Sequence, residues 1–211
     1  MKELNIDQWK RKKQYEHFKN LDYPHISVCA NIDITNFYNY IKTKRKPFFI
    51  SFVYVATKTA NLINEFKYRV RDEKVIVHDV VSPSFTIMND DEVFNFCPVE
   101  FSEDFNEFVS RGTNEIDRRK KFVDLKDEPN RDDFLFITSI PWVSFTSMSH
   151  PIHMSPVDTI PRIAWGKYFK ENEKIKMPLS IQAHHALVDG VHIGMYFEKI
   201  QQILNNPEIY L

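Results

Sequence analysis

This 211-residue sequence has only two cysteines and four glycines, and no imbalance of charge in either direction. Each of these shortages removes a class of function. Cys29 and Cys97 are too few and too isolated for a disulfide framework or a thiolate zinc site, so both read as small buried hydrophobes, in keeping with a reducing cytoplasm. With so little glycine there is no flexible linker, and no repeat or low-complexity tract interrupts the chain, so a single domain over residues 1–211 is expected. Lys and Arg total 28 against 29 Asp and Glu, a net charge of -1, which gives no global field to steer the chain to nucleic acid or to an anionic membrane. No apolar run reaches the ~18 residues that a membrane helix needs, and Met1–Asp7 lacks the apolar core of a signal peptide. The expectation is a cytoplasmic protein whose partners must be read from a local site.

What the sequence does have is apolar and aromatic material, 43% hydrophobic with 18 Phe and 9 Tyr, enough for a sizeable core. Pro47 opens a helix that runs through Phe66, with Phe48, Phe52, Val55, Leu62 and Phe66 on one side and Phe49, Val53, Ala56 and Ile63 filling much of the rest, so the helix is expected to be buried. Strands are predicted at Glu73–His78, Ser84–Met88 and Val93–Val99, with a break at Ser82-Pro83. Ser102–Lys121 reads as an exposed amphipathic helix and Lys121–Asp133 as a polar loop. Further strands are predicted at Phe134–Ile140, Trp142–Phe145 and from Met177 to Val188, and Val191–Leu204 reads as an amphipathic helix on the sheet. The sum is a mixed α+β domain on a large sheet.

The segment His184-His185-Ala186-Leu187-Val188-Asp189-Gly190 carries the chemistry. Period-2 alternation in a strand ending at Val188 places His185 with Leu179, Ile181 and Ala183, and His184 on the opposite face. On the apolar side, desolvation keeps an imidazole neutral and able to accept a proton. Asp189 and Gly190 suit a helix start that follows a sharp turn. Taken alone, a His-x-x-x-Asp pair favours the plainer reading, in which His185 is a hydrogen-bonded core histidine and Asp189 a helix cap.

The paired histidines, the three-residue spacer and the Asp-Gly together resemble the HHxxxDG motif of CoA-dependent acyltransferases, and the chain closely resembles the chloramphenicol acetyltransferases. Asn31–Thr35, Pro141–Ser147 and Met177–His185 look like landmarks of that family in the right order, and the likeness runs from Trp9 to the C-terminal helix. The resemblance implies an α/β (α+β) two-layer sandwich, a mixed sheet covered by helices on one side, assembled as a homotrimer with sites at subunit interfaces. It implies transfer of acetyl from acetyl-CoA to a hydroxyl of chloramphenicol or a similar acceptor, with His185 as general base and no metal. Ser147 matches the serine that stabilises the oxyanion, although the residues Phe145-Thr146-Ser147 by themselves describe only a strand end. Asp189 matches a structural aspartate that pairs with Arg11; if that pair is buried, losing one partner costs ~3–5 kcal/mol.

The acceptor pocket departs from the pattern. Phe18 matches a pocket aromatic, Asp22 stands where an apolar residue is usual, and Ala164 replaces a threonine that orders a water. An unpaired carboxylate beside a nitrophenyl ring is unfavourable. Phe94 aligns with another pocket aromatic within one residue of register and fits a core position equally well. His150 and His153 read as loop histidines, and Lys42–Lys46 as a run that complements a helix C-terminus or attracts CoA phosphates. Other readings are a different hydroxyl acceptor, a 2-oxo acid dehydrogenase acyltransferase core without its lipoyl domain, and a trimeric binding protein that has lost catalysis.

Overall fold

The computed structural model describes residues 1–122, 125 and 131–211. In chain order the elements are β1 (Lys2–Glu3), α1 (Lys12–Phe18), β2 (His25–Asp33), α2 (Thr35–Thr43), α3 (Phe48–Asn61), β3 (Tyr68–Arg71), β4 (Lys74–Val77), β5 (Ser82–Met88), β6 (Phe94–Pro98) and α4 (Phe105–Arg119). They continue with β7 (Phe134–Ile140), β8 (Arg162–Gly166), β9 (Phe169–Glu171), β10 (Lys174–His184), α5 (Gly190–Asn205) and α6 (Pro207–Tyr210). A seven-stranded sheet runs β2-β10-β8-β7-β5-β6, with β9 added to β10. It is mixed: β7 lies parallel to β5 and β8, and the other pairings are antiparallel. Strands β1, β4 and β3 form a small separate sheet.

Helices cover one face of the large sheet, the two-layer arrangement expected from the sequence. Leu179, Ile181 and Ala183 of β10 and Ile163 and Trp165 of β8 enter the core. There Phe49 and Phe52 of α3 pack on Trp165, and Tyr196 of α5 donates to the Ala56 carbonyl at 2.9 Å. The opposite face of β10 carries Ser180, Gln182 and His184, polar but buried. The chain that follows β7 lies over them: Gln182 accepts from the His150 amide at 2.7 Å, and the Met148 carbonyl accepts from Ser27 at 2.9 Å. Gly166 permits the same crossing, because an added Cβ would sit 2.6 Å from the Val143 carbonyl oxygen.

Four expectations are corrected. Trp142–Phe145 is not a strand; Trp142 and Val143 are exposed beyond the end of β7, in a turn. Ser82 and Pro83 belong to β5, where the Pro83 carbonyl accepts from Val99. The helix from Pro47 ends at Asn61, and Asn64–Lys67 is a 3-10 turn. Strand β10 ends at His184, four residues before the expected Val188. In addition, α4 buries Phe105, Phe108 and Val109 on its apolar face, so only its polar side is solvated. The polar loop expected at Lys121–Asp133 falls largely outside the described residues.

Candidate active site

The histidine segment is a turn leading from β10 into α5. His185 follows the last residue of the strand, and its amide donates to the Pro24 carbonyl at 2.7 Å. Its side chain is therefore directed by the turn and not by strand alternation. The ring lies on Phe18, centroids 3.9 Å apart and planes 12° from parallel, with Nδ1 buried and, among the described residues, without a hydrogen-bond partner. His184 is the deeply buried member of the pair. Burial, and then the neighbouring His25 ring, pull its pKa down to about 4, and its Nδ1 accepts the Ala186 amide proton at 3.2 Å. The expectation that strand burial surrounds His185 therefore applies to His184.

Asp189 is the N-cap of α5, as its place before Gly190 predicted, and accepts from the Gly190 amide at 2.7 Å. Its carboxylate lies 3.2 Å from Arg11, whose other terminal nitrogen donates to the His185 carbonyl at 3.2 Å. Partial burial works to raise the Asp189 pKa, but the Gly190 amide and the Arg11 charge hold it below the ordinary carboxylate range. The Arg11 side chain is 13% exposed and that of Asp189 41%, so the pair is open on one side. Its loss therefore costs less than the figure for a buried pair.

Sequence reasoning missed His192. Its Nδ1 accepts the Asp189 amide proton at 2.9 Å, and it fills the third position of a capping box that Glu or Gln usually occupies. The spacing from Asp189 was the available signal. Glu65 stands behind the ring, 3.6 Å from Nε2.

The remaining candidates lie elsewhere. Ser147 is exposed on the segment after β7, and among the described residues no hydrogen bond joins it to His185. Asp22 is exposed in the turn before β2, so the cost of a carboxylate enclosed beside an apolar ring does not arise within this chain. Ala164 is fully buried in β8, in register with Thr138 on one side and Ser180 on the other. Phe94 is exposed on the edge strand β6 and opens onto a cavity of about 1290 Å³ lined by β5, β6, β7 and the segment that follows β7. Phe96, Phe136, Thr138, His150 and Trp142 share its wall, and His185, Phe18, Asp22 and Ser147 do not.

Two further features bear on ligands. The run Lys42–Lys46 ends α2 beside a group of aromatics: Lys42 lies 6.0 Å from the half-buried Tyr38 ring, and Tyr38 and the half-buried Phe48 both contact the exposed Tyr168. Among the described residues no group of three or more His, Cys, Asp or Glu side chains is placed to hold a metal ion.

A family model described as chloramphenicol acetyltransferase matches residues 1–201. The chain belongs to the chloramphenicol acetyltransferase family. A chloramphenicol acetyltransferase of Clostridium perfringens is 32% identical to it over 213 aligned positions, covering 99% of this chain and 96% of that protein. A solved structure of a chloramphenicol acetyltransferase overlays with a TM-score of 0.85 at 21% identity, covering 95% of this chain and 98% of the other. The cubic core of a pyruvate dehydrogenase multienzyme complex overlays at 0.68 and 13% identity, over 94% of this chain and 88% of that one. At those identities the two structures speak for the fold alone. Membership in the chloramphenicol acetyltransferase family makes the chain an acyltransferase, and the turn around His185 is where that chemistry is sought. Among the described residues no helix is long and apolar enough to cross a membrane.

Proposed function

We propose that this chain is an O-acetyltransferase, a single domain acting in the cytoplasm, that moves acetyl from acetyl-CoA to a hydroxyl of chloramphenicol with His185 as general base. The observation that carries the reading is the seating of His185. Its carbonyl is gripped by Arg11, its ring rests on Phe18, and its Nδ1 is enclosed, which leaves Nε2 to meet a substrate. A neutral imidazole in that seat takes the acceptor's hydroxyl proton as the oxygen attacks the thioester carbonyl carbon. The new C–O bond gives a tetrahedral intermediate whose oxyanion accepts a hydrogen bond from the Ser147 hydroxyl. Collapse breaks the C–S bond, and the proton held by His185 passes to the departing thiolate. Asp189 and Arg11 support the seat and do not touch the reacting atoms.

We read the functional unit as a homotrimer. The aromatic cavity beside Phe94 and the His185 ring belong to different parts of one chain, so a second copy bringing its His185 to this cavity completes a site. For acetyl-CoA, the exposed Tyr168 ring with the half-buried Tyr38 and Phe48 rings beside it, flanked by lysines, suits an adenine and its phosphates. Asp22 and Ala164 favour a second reading, in which the same chemistry serves a different hydroxyl acceptor.

The test is release of CoA from acetyl-CoA, followed with a thiol reagent, with and without chloramphenicol. The proposal expects chloramphenicol-dependent release by a particle of three times 25.2 kDa. Release only with other alcohols keeps the mechanism and discards the acceptor. Ligand binding without turnover of any acceptor leaves a binding protein of the same fold.

A further inference from the structure

We infer that His192, oriented by Glu65, is a positioning residue for the transfer, acting on His185 through Asp189 and Arg11; this rests on the reading of His185 as the base. Nδ1 of His192 accepts the Asp189 amide proton at 2.9 Å, so that nitrogen carries no proton and the ring proton sits on Nε2. Nε2 in turn faces the Glu65 carboxylate at 3.6 Å, a distance at which charge still orients the ring. Burial, with the Arg11 charge, holds the pKa of the ring below the ordinary histidine value, against the opposite pull of the Glu65 and Asp189 carboxylates.

The second contact of Nδ1 links this ring to the base. Arg11 Nη1 stands 3.4 Å from it and 3.2 Å from the Asp189 carboxylate, while Nη2 holds the His185 carbonyl at 3.2 Å. The guanidinium is thus fixed at three points, on an imidazole, a carboxylate and a main-chain carbonyl. The Trp9 ring lies 6.0 Å from its Cζ, and its buried Nε has no hydrogen-bond partner among the described residues, so no fourth hydrogen bond holds the guanidinium in place if one of the three is lost. Removing the His192 ring leaves the Asp189 amide unpaired and lets Arg11 turn about its two remaining contacts, and the carbonyl of His185 moves with it. Glu65 comes from the 3-10 turn after α3, so the arrangement also ties the buried helix to the histidine turn.

The experiment compares wild type, His192→Leu, His192→Asn and Glu65→Gln by steady-state kinetics and by NMR of ¹⁵N-histidine. At metal centres, loss of a partner that orients a ligating histidine costs about 10–100-fold, and an orienting partner of the base is expected to act on the same scale. His192→Leu is expected at the lower end of that range in kcat, with KM for both substrates within about twofold of wild type. His192→Asn, whose amide oxygen replaces Nδ1 as the acceptor, is expected to recover most of the loss, and Glu65→Gln to fall between. In the spectra, the His192 proton is expected on Nε2, and the His185 ring signals are expected to shift in His192→Leu. A proton on Nδ1, unmoved His185 signals, or wild-type kcat in His192→Leu would overturn the inference. So would a loss that the Asn variant does not recover. If wild type releases no CoA, the reading of His185 has failed, and the NMR signals still decide whether His192 governs the geometry of the turn.

Discussion

Around His185 the chain supplies its own contacts: Arg11, Asp189, His192 and Phe18 come from the N-terminal segment and from α5, and they hold one ring. Beside Phe94 the opposite holds, with an open aromatic wall on β5, β6 and β7 and Ser147 exposed on the nearby loop. The first region is complete within a monomer, and the second has the form of half a site. In the proposed trimer, the base is positioned by the fold and the acceptor by assembly.

The largest effect expected is that of His185→Ala, a drop of about 10²–10⁴-fold in kcat from loss of the base, with a melting temperature close to wild type. An unchanged kcat would separate the seat from the chemistry. Ser147→Ala should follow, at about 10²-fold or more in kcat with little change in KM, as removal of one oxyanion donor predicts. Sharing of the site between copies is tested by coexpression. His185→Ala and Phe94→Arg, each nearly inactive alone, should give mixed particles more active than either, and failure would place both halves in one chain. Asp189→Asn should lower melting temperature and activity together by a smaller amount, since the pair is open on one side. A variant indistinguishable from wild type would remove Asp189 from the account.

A separate effect is one of pH on stability, and it arises from His184. The folded pKa is depressed to about 4 from an ordinary 6.5, so the unfolded chain binds the proton first. The contribution to stability is full above about pH 6.5 and is lost as pH falls toward about 4, reaching at most about 3 kcal/mol. His184→Asn, which keeps an acceptor for the Ala186 amide, should weaken the dependence of melting temperature on pH between 7 and 5. An identical dependence in wild type and variant would show that His184 titrates normally.

Most of the sheet was legible because β5, β7 and the core half of β10 alternate or run apolar in ways that burial requires. The end of β10 was not. Ala186, Leu187 and Val188 are buried in the turn just as they would be in a strand, so apolar character does not mark where the strand stops. Trp142 and Val143 have strand-forming side chains, but the chain turns at the end of β7, where the Val143 amide donates back to the Ile140 carbonyl. Strand β2 was seen only as the landmark Asn31–Thr35, because its residues are mostly half-exposed at a sheet edge. At the site, His185, Asp189 and Arg11 were found through the motif, and the structure brings them together. His192 and Glu65 act through shape and tautomer, and Phe94 and Ser147 face outward, so nothing in their local sequence shows what they meet.

Arg11 grips the His185 residue by its carbonyl oxygen, an atom that every amino acid carries. The seat and its occupant are therefore separable. A smaller side chain at this position vacates a flat, ring-shaped socket floored by Phe18 without releasing the main chain that frames it, and free imidazole in solution is the molecule of the right size and basicity to refill it.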